Sequence, residues 1–248
     1  MSITGGVLSW LHSMMTEIRQ TSAFHQPTDL VPVRTGDGSF TLDSSSLGDH
    51  YHSRFGALAE SRHVYIHHGF HVLGKPAVDI LEVGLGTGLN ALLTWEASDR
   101  TGIRVNYLAL EPFPLPLHLW AALGHAMAMG APEREEGYIR LMNAKDGQEL
   151  SLSPGFLFRS ATLKVQDLEA EGAFDLVYFD AFAPSVQPEM WPVEVFRKLY
   201  CAMRPEAILV TYCAKGDVRR AMVQAGFQVE RKPGPPGKHE MLMARRPA

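Results

Sequence analysis

The sequence predicts an α/β fold, an open and mostly parallel sheet of seven strands with helices on both faces, carrying an N-terminal extension and one small insertion. Three observations predict it. From Ala77 onward, short runs rich in Val, Ile, Leu and Phe alternate with longer stretches of helical periodicity, the pattern of strands joined by crossover helices. The run Val78-Asp79-Ile80-Leu81-Glu82-Val83 then empties directly into three alternate glycines, Gly84, Gly86 and Gly88. Acidic residues also stand where successive strands end, at Glu111, Asp167 and Asp180, and ligands of open parallel sheets bind beyond those ends.

Taken in order, residues 1–71 form the extension. Gly36-Asp37-Gly38 marks a hairpin turn between short strands, and a helix is expected over roughly Ser53 to Ile66. Residues 72–248 form the main domain. Its strands are expected at Val78–Val83, Val105–Glu111, Leu163–Gln166, Leu176–Asp180, Ala207–Cys213, Phe227–Arg231 and Glu240–Arg245. Its helices are expected near Leu89–Ala97, Leu115–Met129, Pro192–Met203 and Asp217–Ala225. Between about 130 and 160 the alternation fails. That stretch, with Glu133-Arg134-Glu135-Glu136 and Ser153-Pro154-Gly155, reads as an insertion or small hairpin lobe near the third strand.

Composition narrows the function. The 248 residues, 46% apolar, suffice for one sizeable core. A net charge of −4 argues against a protein that grips nucleic acid with its whole surface, and leaves room for a local basic patch. The two cysteines, Cys201 and Cys213, lie in apolar surroundings and are expected as buried free thiols of a cytoplasmic protein. No apolar run approaches the roughly 18 residues of a membrane span, and the patch Val7 to Leu11 lacks the basic flank of a signal peptide. Met15 is as good a start as Met1.

The glycine loop carries the chemistry. Alternate glycines after a buried strand let the backbone turn sharply and approach a ligand, while the helix starting at Leu89 offers unpaired N–H groups. Glu82 sits two residues before Gly84, where a carboxylate would repel a phosphate and suit a ligand bearing an ammonium or sulfonium. S-adenosylmethionine is such a ligand. At the end of the second strand, Glu111 can accept hydrogen bonds from both ribose hydroxyls of a nucleoside. Asp167 can accept one from an adenine amino group, although a helix cap is an equal use for it. At the fourth strand end, Phe179-Asp180-Ala181-Phe182-Ala183-Pro184 sets a carboxylate before an aromatic residue and a proline. A carboxylate there can direct the lone pair of an amine, and the ring of Phe182 can stack on a base. Trp191 reads as a core anchor.

These segments, together with Glu82 to Asn90, Pro188-Glu189-Met190-Trp191, Thr211 to Arg220 and Gly234 to Met241, resemble the tRNA 5-methylaminomethyl-2-thiouridine methyltransferases. The upstream segments Asp49 to Ala57 and Glu60 to Ile66 resemble the lead of the same family. The resemblance runs from about Thr41 to Ala244. It implies a class I S-adenosylmethionine-dependent fold, Rossmann-like, and methyl transfer to the aminomethyl group on C5 of the wobble uridine, in the anticodon region of tRNA. It also implies cofactor contacts from Glu82, Gly84, Gly86, Gly88, Asn90, Glu111 and Asp167, with Asp180 at the reacting amine and beside the cofactor. Members often carry a fused flavin-dependent oxidase; this chain resembles the standalone form, so no FAD is expected. Two departures bear on the RNA contact: His239 stands where an arginine is usual, and Gly234-Pro235-Pro236-Gly237 replaces a more open turn.

Residues expected at the RNA are Phe182, Pro184, Lys215, Arg219, Arg220 and Lys238, part of a basic cluster that also holds Arg231, Lys232, Arg245 and Arg246. His63, His67, His68 and His71 have partly helical spacing, but Gly69 interrupts the helix and no cysteine is near, so no metal is expected. A second reading stays open: a small-molecule amine methyltransferase or an aminopropyltransferase-like enzyme of the same fold would also want Asp180.

Overall fold

The computed structural model describes residues 26–248. The apolar patch at Val7 to Leu11 and Met15 lie outside them. Strands β1 (Val31–Arg34) and β2 (Phe40–Ser44) form the expected hairpin, and β3 (Asp49–His50) adds to β2. Asp37 closes the turn by accepting hydrogen bonds from the Ser39 N–H and the Thr35 hydroxyl.

The expected helix over 53–66 is shorter and changes type. Helix α1 (Ala57–Ser61) runs into a π-helical turn, Arg62–His67, in which the His68 N–H reaches back to the His63 carbonyl. Apolar periodicity cannot announce this widening, because the turn buries Val64, Tyr65 and Ile66 in succession rather than at helical spacing.

The main domain runs β4 (Ala77–Val83), α2 (Leu89–Thr101), β5 (Arg104–Leu110), α3 (Leu117–Ala121), α4 (His125–Ala128), α5 (Glu135–Met142), β6 (Leu150–Ser153), β7 (Phe156–Ala161), β8 (Phe174–Phe179), α6 (Val193–Ala202), β9 (Met203–Thr211), α7 (Gly216–Gln224), β10 (Gln228–Pro233) and β11 (Glu240–Arg245). Its eight-stranded sheet has the order β10-β11-β9-β8-β4-β5-β7-β6. The five central strands, β9 through β7, pair in parallel, whereas β11 pairs antiparallel with β9 and β10, and β6 pairs antiparallel with β7. Side chains alternate between two cores. Along β8, Leu176 and Tyr178 pack with Leu92, Tyr107 and Tyr138 on one face, while Val177 and Phe179 pack with Phe196, Leu199 and Met222 on the other.

Four expectations need correction. The third strand lies at Phe156–Ala161, and the expected strand Leu163–Gln166 is instead irregular chain running into a short 3-10 turn, Val165–Asp167. Pro154-Gly155 is the hairpin turn that launches β7, so part of the stretch read as an insertion belongs to the sheet, and β6 makes the strand count eight rather than seven. The expected helix Leu115–Met129 is broken in two, since Pro116 delays its start and Gly124 adopts a left-handed conformation between the halves. Finally, Cys213 is buried but Cys201 is exposed, because it sits on the outer side of α6; both are free thiols.

Candidate functional site

The carboxyl ends of β4, β5 and β8 and the loops after them surround a cavity of about 660 Å³. Size alone suits a nucleoside-sized ligand. On one side Gly84 and Gly86 bring bare backbone to the wall. Gly84 has φ of 89°, and a Cβ on it would sit 2.6 Å from the Asp180 carbonyl oxygen; Gly86 has φ of 50°. Both positions demand glycine, so backbone rather than side chain faces the cavity.

Glu111 stands beside that loop. Its Oε2 accepts the Gly86 N–H at 2.9 Å and its Oε1 accepts the Phe113 N–H at 2.9 Å. A carboxylate can accept about four hydrogen bonds, so capacity remains for a ligand hydroxyl beside the backbone donors. Burial raises the Glu111 pKa, and the backbone N–H groups of Gly86, Phe113 and Leu85 oppose that shift. Asp167, on the 3-10 turn after β7, lines the same cavity.

Asp180 forms the opposite pole. The Tyr65 hydroxyl donates to its Oδ1 at 2.5 Å and the Asn90 amide donates to its Oδ2 at 2.8 Å. Burial pushes its pKa up to about 7, and the two donors hold it below where burial alone would leave it. The result is a carboxylate of fixed direction that can take up or release a proton near neutrality. Trp191 is buried and donates through Nε1 to the Phe182 carbonyl, so it anchors the loop after Asp180 from the core side.

Other expected residues fall differently. Glu82 does not reach the cavity: it is fully buried, holds the Asn90 amide at 3.0 Å, and burial raises its pKa well above the ordinary value. Burial disfavours its charged form and keeps it away from the cavity wall, so the electrostatic argument made from its position does not hold. Asn90 acts from behind, through Asp180. Gly88 lies on the far side of the loop, against Met142, Leu141 and Tyr138. Phe182 lines the cavity with its ring edge-on to Tyr51 at 4.9 Å, whereas Pro184 does not line it. Lys238 lines the cavity; Lys215, Arg219 and Arg220 are exposed on or beside α7, outside it. Within the basic cluster, Arg220, Arg231, Lys232 and Arg245 pair with Asp217, Glu240, Glu230 and Glu206 respectively. Among the described residues no group of three or more His, Cys, Asp or Glu is disposed to hold a metal ion.

Sequence reasoning missed Tyr51, His52, Glu60, Tyr65 and Tyr212. All but Tyr65 line the cavity, and Tyr65 reaches it through Asp180. The available signal was the density of polar and aromatic residues in Asp49-His50-Tyr51-His52-Ser53, unusual for a peripheral extension. His52 hydrogen-bonds the Thr87 hydroxyl at 2.7 Å, and burial lowers its pKa to about 4, so it is neutral at physiological pH.

A family model described as S-adenosyl-L-methionine-dependent methyltransferase matches residues 122–247, half of the chain. The chain belongs to this methyltransferase family. It is thus an enzyme whose cofactor is S-adenosylmethionine, and the cavity fits that cofactor: bare glycine backbone, a carboxylate with free lone pairs at Glu111, and room for a nucleoside. The methyltransferase is 36% identical over 220 residues to the tRNA 5-methylaminomethyl-2-thiouridine biosynthesis bifunctional protein MnmC of Pseudomonas paraeruginosa, covering 80% of this chain and 32% of that protein. It is 35% identical over 234 residues to the protein of the same name from Cupriavidus metallidurans, covering 86% and 33%. The chain spans about a third of the length of the curated relatives it matches. Among solved structures, MNMC2 from Aquifex aeolicus superposes with a TM-score of 0.67 at 21% identity, covering 90% of this chain and 72% of that one. Spermidine synthase from Thermotoga maritima superposes with a TM-score of 0.56 at 11% identity, covering 90% and 72%. At these identities the structural likeness shows the fold alone, a Rossmann-like α/β methyltransferase fold. No helix among the described residues is long and apolar enough to cross a membrane.

Proposed function

We propose that this methyltransferase methylates a primary amine, the 5-aminomethyl group of the wobble uridine in the anticodon region of tRNA, and works in the cytoplasm. The observation that carries the reading is the Asp180 carboxylate, held on both oxygens by Tyr65 and Asn90 at the wall of the cofactor cavity. The names of the relatives above supply the RNA part of the reading.

In this reading Gly84 and Gly86 lie along the cofactor, Glu111 holds its ribose and Asp167 its adenine. S-adenosylmethionine, when bound, supplies an electrophilic methyl group on a sulfonium. The rest falls to the chain. A primary amine arrives mostly protonated at neutral pH and has no lone pair to offer. Asp180, ionised above a pKa of about 7, accepts the proton at a carboxylate oxygen and keeps the nitrogen directed along its remaining N–H. Phe182 and Tyr51 present aromatic surface for a base at the cavity mouth, and the exposed Lys215, Arg219 and Arg220 lie where phosphates of the RNA are met. Residues 26–71 act as an extension that completes the pocket of the domain behind it, through Tyr51, His52 and Glu60.

The deciding experiment incubates the protein and S-adenosylmethionine with tRNA bearing 5-aminomethyluridine or its carboxymethylaminomethyl form, then digests the RNA to nucleosides for mass spectrometry. Methylaminomethyluridine is expected from the first substrate only. No product from either, with methylation of small amines or polyamines instead, would favour the small-molecule reading.

Two variants probe the assignments. Glu111→Ala should weaken S-adenosylmethionine binding by about 2 kcal/mol, the loss of charge-assisted hydrogen bonds to hydroxyls. Calorimetry giving wild-type affinity would remove Glu111 from the ribose. Tyr65→Phe deletes a donor that stabilises the Asp180 carboxylate, so the Asp180 pKa should rise above its present value of about 7. The acidic limb of the pH–rate profile should then move to higher pH, with activity recovering in alkaline buffer; an unmoved limb would mean that the hydroxyl does not tune Asp180.

A further inference from the structure

Lys238 is held in an unusual way for a residue expected on a nucleic-acid surface. Its Nζ lies 2.5 Å from Oε1 of Glu60, a carboxylate only 5% exposed, and 3.9 Å from the ring centroid of Tyr212. The other Glu60 oxygen accepts the Ser53 N–H at 2.7 Å, which fixes the carboxylate, and the Tyr212 hydroxyl donates to the Ala181 carbonyl at 2.9 Å, which fixes the ring. Glu60, Tyr212, Lys238 and Asp180 line the same cavity. Glu60 and Lys238 both act electrostatically on the Asp180 carboxyl, the first raising and the second lowering its pKa. A buried carboxylate beside an aromatic face is the chemistry that recognises an alkylammonium.

We propose that Glu60 and the face of Tyr212 form the binding cage for the acceptor's protonated amine, and that Lys238 fills this cage with its own ammonium until the acceptor displaces it. The inference rests on the amine-methylating reading above and names how that site selects its substrate. Lysine ends in a primary alkylammonium, –CH2–NH3+, the same group as a protonated aminomethyl substituent, so the partners that suit one suit the other. A buried carboxylate stripped of its cation is strongly disfavoured. Lys238 therefore leaves only as another cation enters, and the exchange excludes acceptors without a positive charge. Once caged beside Asp180, the ammonium loses one proton: an N–H bond breaks, an O–H bond forms at Asp180, and the electron pair stays on nitrogen as the neutral amine.

The test uses the whole chain and needs no RNA. Methylammonium chloride is titrated, by chemical-shift perturbation or calorimetry, into the wild type, Lys238→Met, and the double variant Lys238→Met/Glu60→Gln, in which no charge is left unpaired. Binding at least tenfold tighter to Lys238→Met than to the wild type is expected, and it should be lost again in the double variant. Equal binding by wild type and Lys238→Met, or undiminished binding by the double variant, would overturn the cage. Should Lys238→Met fail to fold, Glu60→Gln answers by kinetics: the acceptor KM should rise at least tenfold with cofactor affinity within twofold, and an unchanged KM would overturn the proposal. Because methylammonium is read without RNA, a protein that binds it but ignores tRNA keeps the cage and loses only the tRNA assignment.

Discussion

Asp180→Ala should reduce methyl transfer by about a hundredfold or more while leaving S-adenosylmethionine affinity within a few-fold, because the carboxylate serves the amine and not the cofactor's attachment. Single-turnover rates at saturating cofactor, paired with calorimetry, read the two effects separately. A fully active variant would end the proposed role. The wild-type rate should also fall as the pH drops below about 7, where Asp180 becomes protonated and can no longer take the amine's proton. Stability should run the other way. A carboxyl raised from 3.8 to about 7 binds its proton more tightly folded than unfolded, so its unfavourable contribution grows as pH rises through that window and is complete above it. Relative to the wild type, Asp180→Ala should therefore melt higher at pH 8 than at pH 5, on top of the loss of the two hydrogen bonds from Tyr65 and Asn90, which alanine cannot accept.

Gly84→Ala should abolish detectable cofactor binding, a loss of at least a hundredfold, since the effect is steric on two counts. The residue has φ of 89°, where side chains are strained, and a Cβ would meet the Asp180 carbonyl oxygen at 2.6 Å. The loop must then shift away from the end of β8, opening the cofactor wall and displacing Asp180 together. A circular dichroism spectrum matching the wild type alongside lost binding is the expected combination. Retained binding would mean that the loop has slack which its hydrogen bond from the Gly84 N–H to the Leu110 carbonyl does not suggest.

The part of the cavity wall proposed to hold the cofactor was legible as a cluster because it is local. A buried strand, alternate glycines and the next strand's terminal acid follow one another in the chain, and the parallel register of β4 with β5 places Glu111 beside Gly86 as the spacing implied. Asp180 was legible for a similar reason, since a strand end fixes a side chain's place before its neighbours are known. The partners of Asp180 were not. Tyr65 arrives on a π-helical turn, whose extra residue per turn leaves no periodic trace, and Glu60 looks like any surface acid of a short helix until it is seen buried against Lys238. The third strand was misplaced because its aromatic run, Phe156 to Ala161, follows a Pro-Gly turn that reads equally well as loop. Glu82 was assigned a contact on charge, but a strand residue that close to the sheet's centre is buried, and burial disfavours the charge the assignment relied on.

The two halves of the cavity differ in how far apart in the chain their parts lie. Gly86 and Glu111 are 25 residues apart, whereas Tyr65 and Asp180 are separated by 115 and Glu60 and Lys238 by 178. Contacts between distant residues carry the larger loop-closure cost and form late in folding. A chain emerging from the ribosome can thus assemble its cofactor cleft while the segment that supplies Lys238 is still being made. Competence to bind S-adenosylmethionine should precede competence to use it, so that a partly folded chain holds the methyl donor without presenting it to a nucleophile.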